Sequence, residues 1–179
     1  YFQKLLNLKT EEVDEGFASH KIIGLVFHET IEFLYKPFIG KHLEKKALKD
    51  SLLNIDKALK DSFVSNNELF GSGKNLIIFE VIKSALKTFN HNEIEDLNNG
   101  NSIKIIALEK SIKGVLKLNH DSEVLITGII DRVDERNGVT RIIDYKTGFV
   151  SSSNLIIKDM SLICKDPLRT KAMQLMCYS

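Results

Sequence analysis

The chain has 179 residues, 43% of them hydrophobic and 27% charged, which is ordinary for one folded domain with a hydrophobic core. It contains no long apolar run and no basic leader before one, so we expect no membrane span or export signal and a cytoplasmic location. The formal net charge of +1 argues neither for nor against nucleic-acid binding. Cys164 and Cys177 lack metal-finger spacing and indicate reduced thiols.

The first predicted helix runs from about Ser19 to Tyr35. Ser19 is suited to cap its free amides, and Pro37 stops it. On a helical wheel the apolar side chains gather on one side, while His28 lies roughly opposite them beside Gly24. The pattern alone leaves two interpretations open for His28, a surface histidine and a ligand.

Residues 41–99 are charged and have a helical period, and we interpret them as a helical insertion between the first helix and a sheet. Their recurring apolar residues include Leu48, Leu52, Ile55, Leu59 and Phe63. The run Gly71-Ser72-Gly73-Lys74 is superficially similar to a phosphate-binding loop, but Glu68 stands where the first glycine should be and Asn75 replaces the Ser/Thr. We predict a loop there, followed by a helix over about 76–90.

After Gly100 the pattern becomes extended. Residues 103–118 are rich in Ile, Val and Leu and predict one bent strand or two short ones. Glu109 lies within this stretch, either as a group that supports a site or as an exposed side chain. A turn at Asn119-His120-Asp121 leads into a second strand predicted over 124–133.

The strongest local signal is Asn137-Gly138, because both residues tolerate the positive φ of a tight hairpin. Pairing across this turn brings Asp131 toward Asp144 and Lys146, which share one face of a third strand that we predict to end at Gly148. Neighbouring carboxylates repel each other, and a hard divalent cation such as Mg²⁺ is the usual reason to tolerate them. The lysine could then orient a water or a phosphate oxygen. On this pattern alone, a solvated hairpin is the commoner explanation.

A final helix is predicted to begin near Pro167. Gln174 and Tyr178 are four residues apart and share a face with Lys171, which suits contact with a DNA backbone but also a solvated edge. The remaining histidines have no motif around them and are interpreted as surface residues. These are His20, His42, His91 and His120.

Four ordered motifs resemble those of the PD-(D/E)XK nuclease superfamily. The branch they resemble contains the nuclease domains of RecB-like and AddB-like helicase-nucleases and CRISPR-associated exonucleases. The motifs are Gly24-Leu25-Val26-Phe27-His28-Glu29, Gly128-Ile129-Ile130-Asp131-Arg132-Val133-Asp134, Ile142-Ile143-Asp144-Tyr145-Lys146-Thr147-Gly148 and Gln174-Leu175-Met176-Cys177-Tyr178. The resemblance covers nearly the whole chain.

The resemblance implies an α/β, restriction-endonuclease-like core of a helix, an antiparallel three-strand meander and a helix, with 41–99 as the insertion. It implies a Mg²⁺ site that Mn²⁺ would also fill. The implied metal ligands are His28, Asp131, Asp144 and the carbonyl of Tyr145. The implied catalytic residues are Asp131, Asp144, Lys146, Gln174 and Tyr178.

The implied function is Mg²⁺-dependent hydrolysis of DNA, as the exonuclease module of a helicase-nuclease in recombination and repair, with DNA and a helicase region as partners. The alternative is a catalytically inactive, nuclease-like module that binds DNA or serves as a scaffold. Hydrolysis of another phosphoester is also left open. We expect residues 1–179 to be one nuclease domain and a fragment of a longer protein. The iron–sulfur cluster of AddB-like proteins uses cysteines outside such a segment, so residues 1–179 do not decide whether the protein binds one.

Overall fold

Helices precede the sheet in the computed structural model, which describes residues 20–66, 73–119, 122–148, 150–151, 155–156 and 170–178. The helices before the sheet are α1 (His20–Tyr35), α2 (Lys45–Leu52), α3 (Ile55–Ser65) and α4 (Gly73–Asn98), with a 3-10 turn at Lys36–Phe38. Of the helices in these residues, none is both long and apolar enough to cross a bilayer.

Helix α1 ends where the sequence predicted, because Pro37 lies in the 3-10 turn that directly follows Tyr35. Most of its apolar stripe is buried, with Val26 and Ile31 almost fully excluded from solvent, whereas Phe33 is 52% exposed. His28 lies off this stripe and keeps about a quarter of its side chain exposed. The predicted cap, Ser19, lies outside the described residues.

The helices of 41–99 contribute to the same hydrophobic core as the sheet. Their buried residues include Leu48, Ile55, Leu59 and Phe63, in one cluster with Ile103, Ile105 and Tyr145. Helix α4 extends beyond the predicted range of 76–90 at both ends. At the C-terminal end, Ile94 and Leu97 continue the helical spacing and pack against the core. Gly73 begins this helix, whereas Gly71 and Ser72 lie outside the described residues.

The sheet is an antiparallel meander in the order β1-β2-β3, with strands β1 (Ile103–Asn119), β2 (Ser122–Arg136) and β3 (Val139–Ile143). β1 is one continuous strand whose register shifts between Ile105 and Ala107, which corresponds to the bent strand of the prediction. The expectation that the third strand ends at Gly148 is wrong. β3 ends at Ile143, so Asp144 and Lys146 leave the sheet as an irregular segment.

The hairpin between β2 and β3 turns at Asn137 and Gly138, as predicted. Their φ values of 52° and 84° are the two positive angles that such a turn requires. The Asn137 side chain also accepts a hydrogen bond from the Ser102 amide at 2.8 Å and donates one to Asn101 at 2.7 Å. The turn is therefore tied to the two residues that directly precede β1.

β1 and β2 continue as a pair far beyond β3. Within the described residues, β3 pairs with Arg132–Arg136 of β2, whereas β1 and β2 pair along nearly their whole length. We call the extended part, residues 110–119 and 122–130, the ribbon. Its tip at residues 120–121 lies outside the described part.

Helix α5 (Thr170–Tyr178) is the last described element. Its predicted start near Pro167 falls outside the described residues. Helices together with a three-strand antiparallel meander confirm the predicted α/β, restriction-endonuclease-like fold.

Candidate active site

Asp131 on β2 lies opposite Glu109 on β1. The pairs that flank them in the register are Leu108 with Arg132 and Lys110 with Ile130. Glu109 has a φ of 44°, in the left-handed region that residues other than glycine rarely adopt, least of all within a strand. Its Oε1 lies 3.7 Å from Nδ1 of His28. A strained backbone position thus coincides at Glu109 with a carboxylate beside His28, and such strain is common in active sites.

His28 reaches this pair from α1. Its Nδ1 lies 3.5 Å from Oδ1 of Asp131, and its Nε2 lies 3.1 Å from the carbonyl oxygen of Tyr145. The hydrogen bond with Asp131 raises the pKa of His28 above its ordinary value, even though burial acts in the opposite direction. The contacts of His28 therefore favour its protonated form.

His28, Glu109 and Asp131 form a suitable site for a divalent cation. One ligand atom from each of the three lies within 4.8 Å of the other two. Burial, followed by the charge of Asp131, raises the pKa of the Glu109 carboxyl, so this like-charged pair is costly without a compensating cation. Two carboxylates and an imidazole are ligand types that suit Mg²⁺ and Mn²⁺, although imidazole favours Mn²⁺ of the two.

A second cluster surrounds Asp144, just beyond the end of β3. Its Oδ2 lies 2.5 Å from the ammonium of Lys146, and its Oδ1 accepts a 2.8 Å hydrogen bond from the amide of Gln174. Gln174 is supplied by α5, so this contact ties the last helix to the segment that follows the sheet. Although the strand has ended, alternation persists, since Tyr145 between them is buried.

Tyr145 joins the two clusters through its main chain. Its N–H donates a 2.6 Å hydrogen bond to Oδ2 of Asp131, while its carbonyl faces His28. Its ring packs edge-on against Phe27, His28 and Phe89, with centroid distances of 6.2, 5.9 and 5.4 Å. Aromatic rings from α1 and α4 therefore hold the peptide that connects the carboxylates.

Behind the site lies a buried network of charges centred on Arg132. This side chain is fully buried and lies 2.6 Å from Glu93 of α4 and 2.5 Å from Asp134, which also pairs with Arg141 at 2.8 Å. Tyr35 donates a 2.6 Å hydrogen bond to Glu93, and the guanidinium stands 5.2 Å from the Tyr35 ring centre. The network therefore holds β2 in place on the face opposite to the one that carries Asp131.

Sequence reasoning missed two parts of this site. Glu109 was left between a supporting and an exposed role, and no local pattern indicates its left-handed backbone. The network of Arg132 and Glu93 was not predicted either. The available signal was the sequence Asp131, Arg132 and Asp134, which places charged residues on both faces of one strand. If either face of that strand packs against the core, it must bury a charge together with a partner.

The predicted site residues separate into those that the structure brings together and one that it does not describe. His28 meets Asp131, and Asp144 meets Lys146 and Gln174, with Tyr145 between the two groups. Of the four predicted ligands, Asp144 also contacts Lys146 and Gln174, and the Tyr145 carbonyl also contacts His28. Glu109, which was not among the four, lies beside His28. Tyr178 ends α5, but its side chain lies outside the described residues. The chemical roles of these residues stay predictions.

The other histidines and the cysteines lie away from these clusters or outside the described residues. His42 and His91 are exposed, as predicted, and His42 makes a 2.9 Å hydrogen bond with Ser102. The side chains of His20, His120, Cys164 and Cys177 are among those not described.

Comparison with known proteins identifies the family. The family model of the PD-(D/E)XK nuclease superfamily matches residues 1–179. No match was found among curated proteins or among solved structures. The three-strand meander, the D-x-K segment at the end of its third strand and the histidine opposite Asp131 agree with the match. The chain belongs to the PD-(D/E)XK nuclease superfamily.

Proposed function

We propose that this protein is a metal-dependent deoxyribonuclease that hydrolyses phosphodiester bonds. The observation that supports this most directly is that two clusters share the Tyr145 peptide, one suited to a cation and the other containing a lysine. His28 and Asp131 contact this peptide from one side, and Asp144 and Lys146 flank it in the chain. Family membership supports a nuclease fold and activity. The arrangement of these side chains supports an active enzyme over an inactive member of the family.

The proposed cation is Mg²⁺, for which Mn²⁺ would substitute, with His28, Glu109 and Asp131 as the ligands that the structure favours. When bound, such an ion supplies Lewis-acid polarisation of the phosphate and lowers the pKa of a coordinated water. Asp144 and the Tyr145 carbonyl were also expected as ligands. In this structure they contact Lys146 and His28 respectively, and we propose that they complete the set of ligands.

The remaining residues position the substrate and stabilise charge. The Lys146 ammonium is placed to donate to a phosphate oxygen as negative charge grows on it during attack by water. Asp144 holds Lys146 in place, and Gln174 holds Asp144. Tyr178 shares the helix face of Gln174 by spacing, and we propose that it orients the same phosphate.

We propose that the biological context is an exonuclease module of a RecB-like or AddB-like helicase-nuclease in recombination and repair. The proposal is supported by the order of the four motifs, from Gly24 to Tyr178, and by the residues that they contain. DNA would be the substrate, and a helicase region in the same or a partner chain would deliver it. An iron–sulfur cluster would depend on cysteines outside residues 1–179.

A cleavage assay tests the proposed activity. End-labelled linear DNA should be degraded with millimolar Mg²⁺ or Mn²⁺ and should stay intact with EDTA. A small-molecule phosphodiester should be hydrolysed far more slowly than DNA. Asp131→Asn should abolish cleavage, and Asp61→Asn, an exposed change on α3, should not. Binding of DNA without cleavage under every metal condition would contradict the proposal and favour the inactive module.

A further inference from the structure

We propose that one face of the ribbon is the path along which the substrate strand leaves the active site, with Lys113 as its principal phosphate contact. This inference rests on the proposed function. It also adds to that function, because it names a residue that determines how long a substrate must be.

The register of β1 and β2 places this face beside the candidate metal site. Side chains of directly paired residues lie on one face of a sheet, and that face recurs every second residue. Glu109 and Asp131 are flanked by the pairs Leu108–Arg132 and Lys110–Ile130. Three directly paired positions toward the tip, which we call rungs, therefore share the face of Asp131. These rungs are Ser111 with Ile129, Lys113 with Thr127 and Val115 with Leu125.

Nearest the site, the apolar side chains of this face are more exposed to solvent than those of the opposite face. All six side chains of the three rungs are exposed, including 54% of Ile129, 63% of Leu125 and 58% of Val115. On the other face Ile130 is only 5% exposed, and Ile112 and Ile126 are partly buried. An open surface therefore runs without a break from the Glu109–Asp131 pair along the ribbon.

The chemistry of the three rungs suits a nucleic-acid backbone. Lys113 and Thr127 lie directly opposite each other and present an ammonium and a hydroxyl, and Ser111 adds a hydroxyl one rung nearer the site. These are common phosphate-contacting groups, and Lys113 is the only charge on the three rungs. The positive charge of the three rungs is therefore at Lys113, two rungs from the candidate metal site.

Strand geometry gives the distance of this contact from the reacting phosphate. Four residues separate Asp131 from Thr127, which corresponds to about 13 Å along the strand. A stacked nucleic-acid strand rises 3.4 Å per nucleotide, so this distance spans about four nucleotides. Cleavage should therefore depend on substrate length on one side of the scissile bond and should improve once about four nucleotides extend along the ribbon.

The test compares two lysines on one strand. Lys110 is exposed like Lys113 but pairs with Ile130, so it lies on the opposite face and provides a matched control. Fluorescence anisotropy in EDTA measures binding of single-stranded oligonucleotides, and cleavage kinetics in Mg²⁺ give kcat and KM. Lys113→Ala should raise KM without lowering kcat and should reduce the slope of log K against log salt by about 0.7. Lys113→Arg should retain binding, and Lys110→Ala should change neither quantity.

Substrate length gives a second readout. Lys113→Ala should lose its effect on oligonucleotides shorter than about four nucleotides beyond the cleaved bond, because these do not reach it. Equal effects of Lys110→Ala and Lys113→Ala would overturn the inference and indicate general attraction. A change in oligomeric state with Leu125→Ser at unchanged DNA binding would also overturn it, because the face would then be a protein contact.

Failure of the two proposals can be distinguished. A wild-type protein that binds oligonucleotides through Lys113 but never cleaves them would refute the proposed nuclease and keep the ribbon as a binding surface. A wild-type protein that cleaves DNA with no difference between the two lysine variants would refute the ribbon path alone. A protein that binds no DNA would refute both.

Discussion

The backbone N–H of Tyr145 donates a 2.6 Å hydrogen bond to the Asp131 carboxylate, across the gap between the end of β3 and the middle of β2. This bond occupies Oδ2 and leaves Oδ1 directed toward His28, 3.5 Å away. Because the donor is a main-chain group, its presence does not depend on the side chain at position 145. The orientation of Asp131 is thus set by the path of the backbone just before Lys146.

Divalent cations should stabilise the folded protein. A bound cation offsets the repulsion between Glu109 and Asp131, and a ligand at one hundred times its dissociation constant adds about 2.7 kcal/mol to the free energy of unfolding. Thermal melts with and without millimolar Mg²⁺ should show a higher midpoint with the ion. Asp131→Asn should remove the shift and Asp61→Asn should keep it. An unshifted wild-type melt would argue against the proposed site.

Glu109→Gly should make the metal-free protein more stable while removing its response to metal. Left-handed backbone costs a residue with a side chain about 1 to 2 kcal/mol, more than the roughly 0.5 to 1 kcal/mol of entropy that glycine loses in a strand. The change also removes a carboxylate that repels Asp131. Urea denaturation in EDTA measures the gain. Glu109→Gln, which keeps the backbone strain, is the control, and it should lose metal binding with less gain in stability.

Lys146→Ala should separate binding from chemistry. The ammonium contacts Asp144 and is proposed to stabilise charge that develops on the phosphate, so its loss should lower the cleavage rate by about 10²-fold or more. Binding of metal and of oligonucleotides should change little, as measured by thermal shift and anisotropy. A variant that cleaves at the wild-type rate would remove Lys146 from the proposed mechanism.

Arg132→Met should destabilise the fold strongly, although the residue lies outside the metal cluster. Breaking a buried ion pair leaves an uncompensated charge, here mainly that of Glu93, and costs about 3 to 5 kcal/mol. Arg141→Met, which removes a partly exposed partner of Asp134, should cost much less. Denaturant titrations compare the two. If the double change Arg132→Met with Glu93→Gln is no better than Arg132→Met alone, Glu93 is not the main uncompensated charge.

Acid should weaken the contact between α4 and the β2–β3 hairpin. Arg136 makes two hydrogen bonds to Asp96, at 2.7 and 2.5 Å, and these hold the pKa of Asp96 below its ordinary value. A depressed folded-state pKa contributes stability above the unfolded pKa, which is lost as pH falls through the folded one. Asp96→Asn should therefore lower stability at neutral pH and flatten its decline below about pH 4. Parallel melting curves of the two proteins across that range would contradict this.

Local signals predicted those parts of the molecule that depend on neighbouring residues. Asn137-Gly138 indicated the hairpin because its two positive φ values are a property of the turn itself. Pro37 marked the end of α1 for an equally local reason. Once the hairpin was assigned, its register was sufficient to place Asp131 beside the segment that contains Asp144 and Lys146, which Asp131 contacts at the Tyr145 N–H.

Features that arise from contacts between distant segments were not predictable in this way. The left-handed conformation of Glu109 and the pairing of Glu93 with Arg132 depend on how β1, β2 and α4 meet in space. The end of β3 at Ile143 was missed because the polar residues Asp144 and Lys146 alternate with the aromatic Tyr145, so their sequence pattern continues that of a strand.

One of the two carboxylates that pair with Arg132 is Glu93, so the motif that supplies Asp131 depends on a helix from the segment 41–99. That segment is consequently not a module that can be deleted to obtain a minimal enzyme, nor can the motif strand be transplanted onto a shorter scaffold without replacing Arg132. In a chimaera that exchanges this helical segment with that of a homologue, position 93 and position 132 would have to be exchanged together.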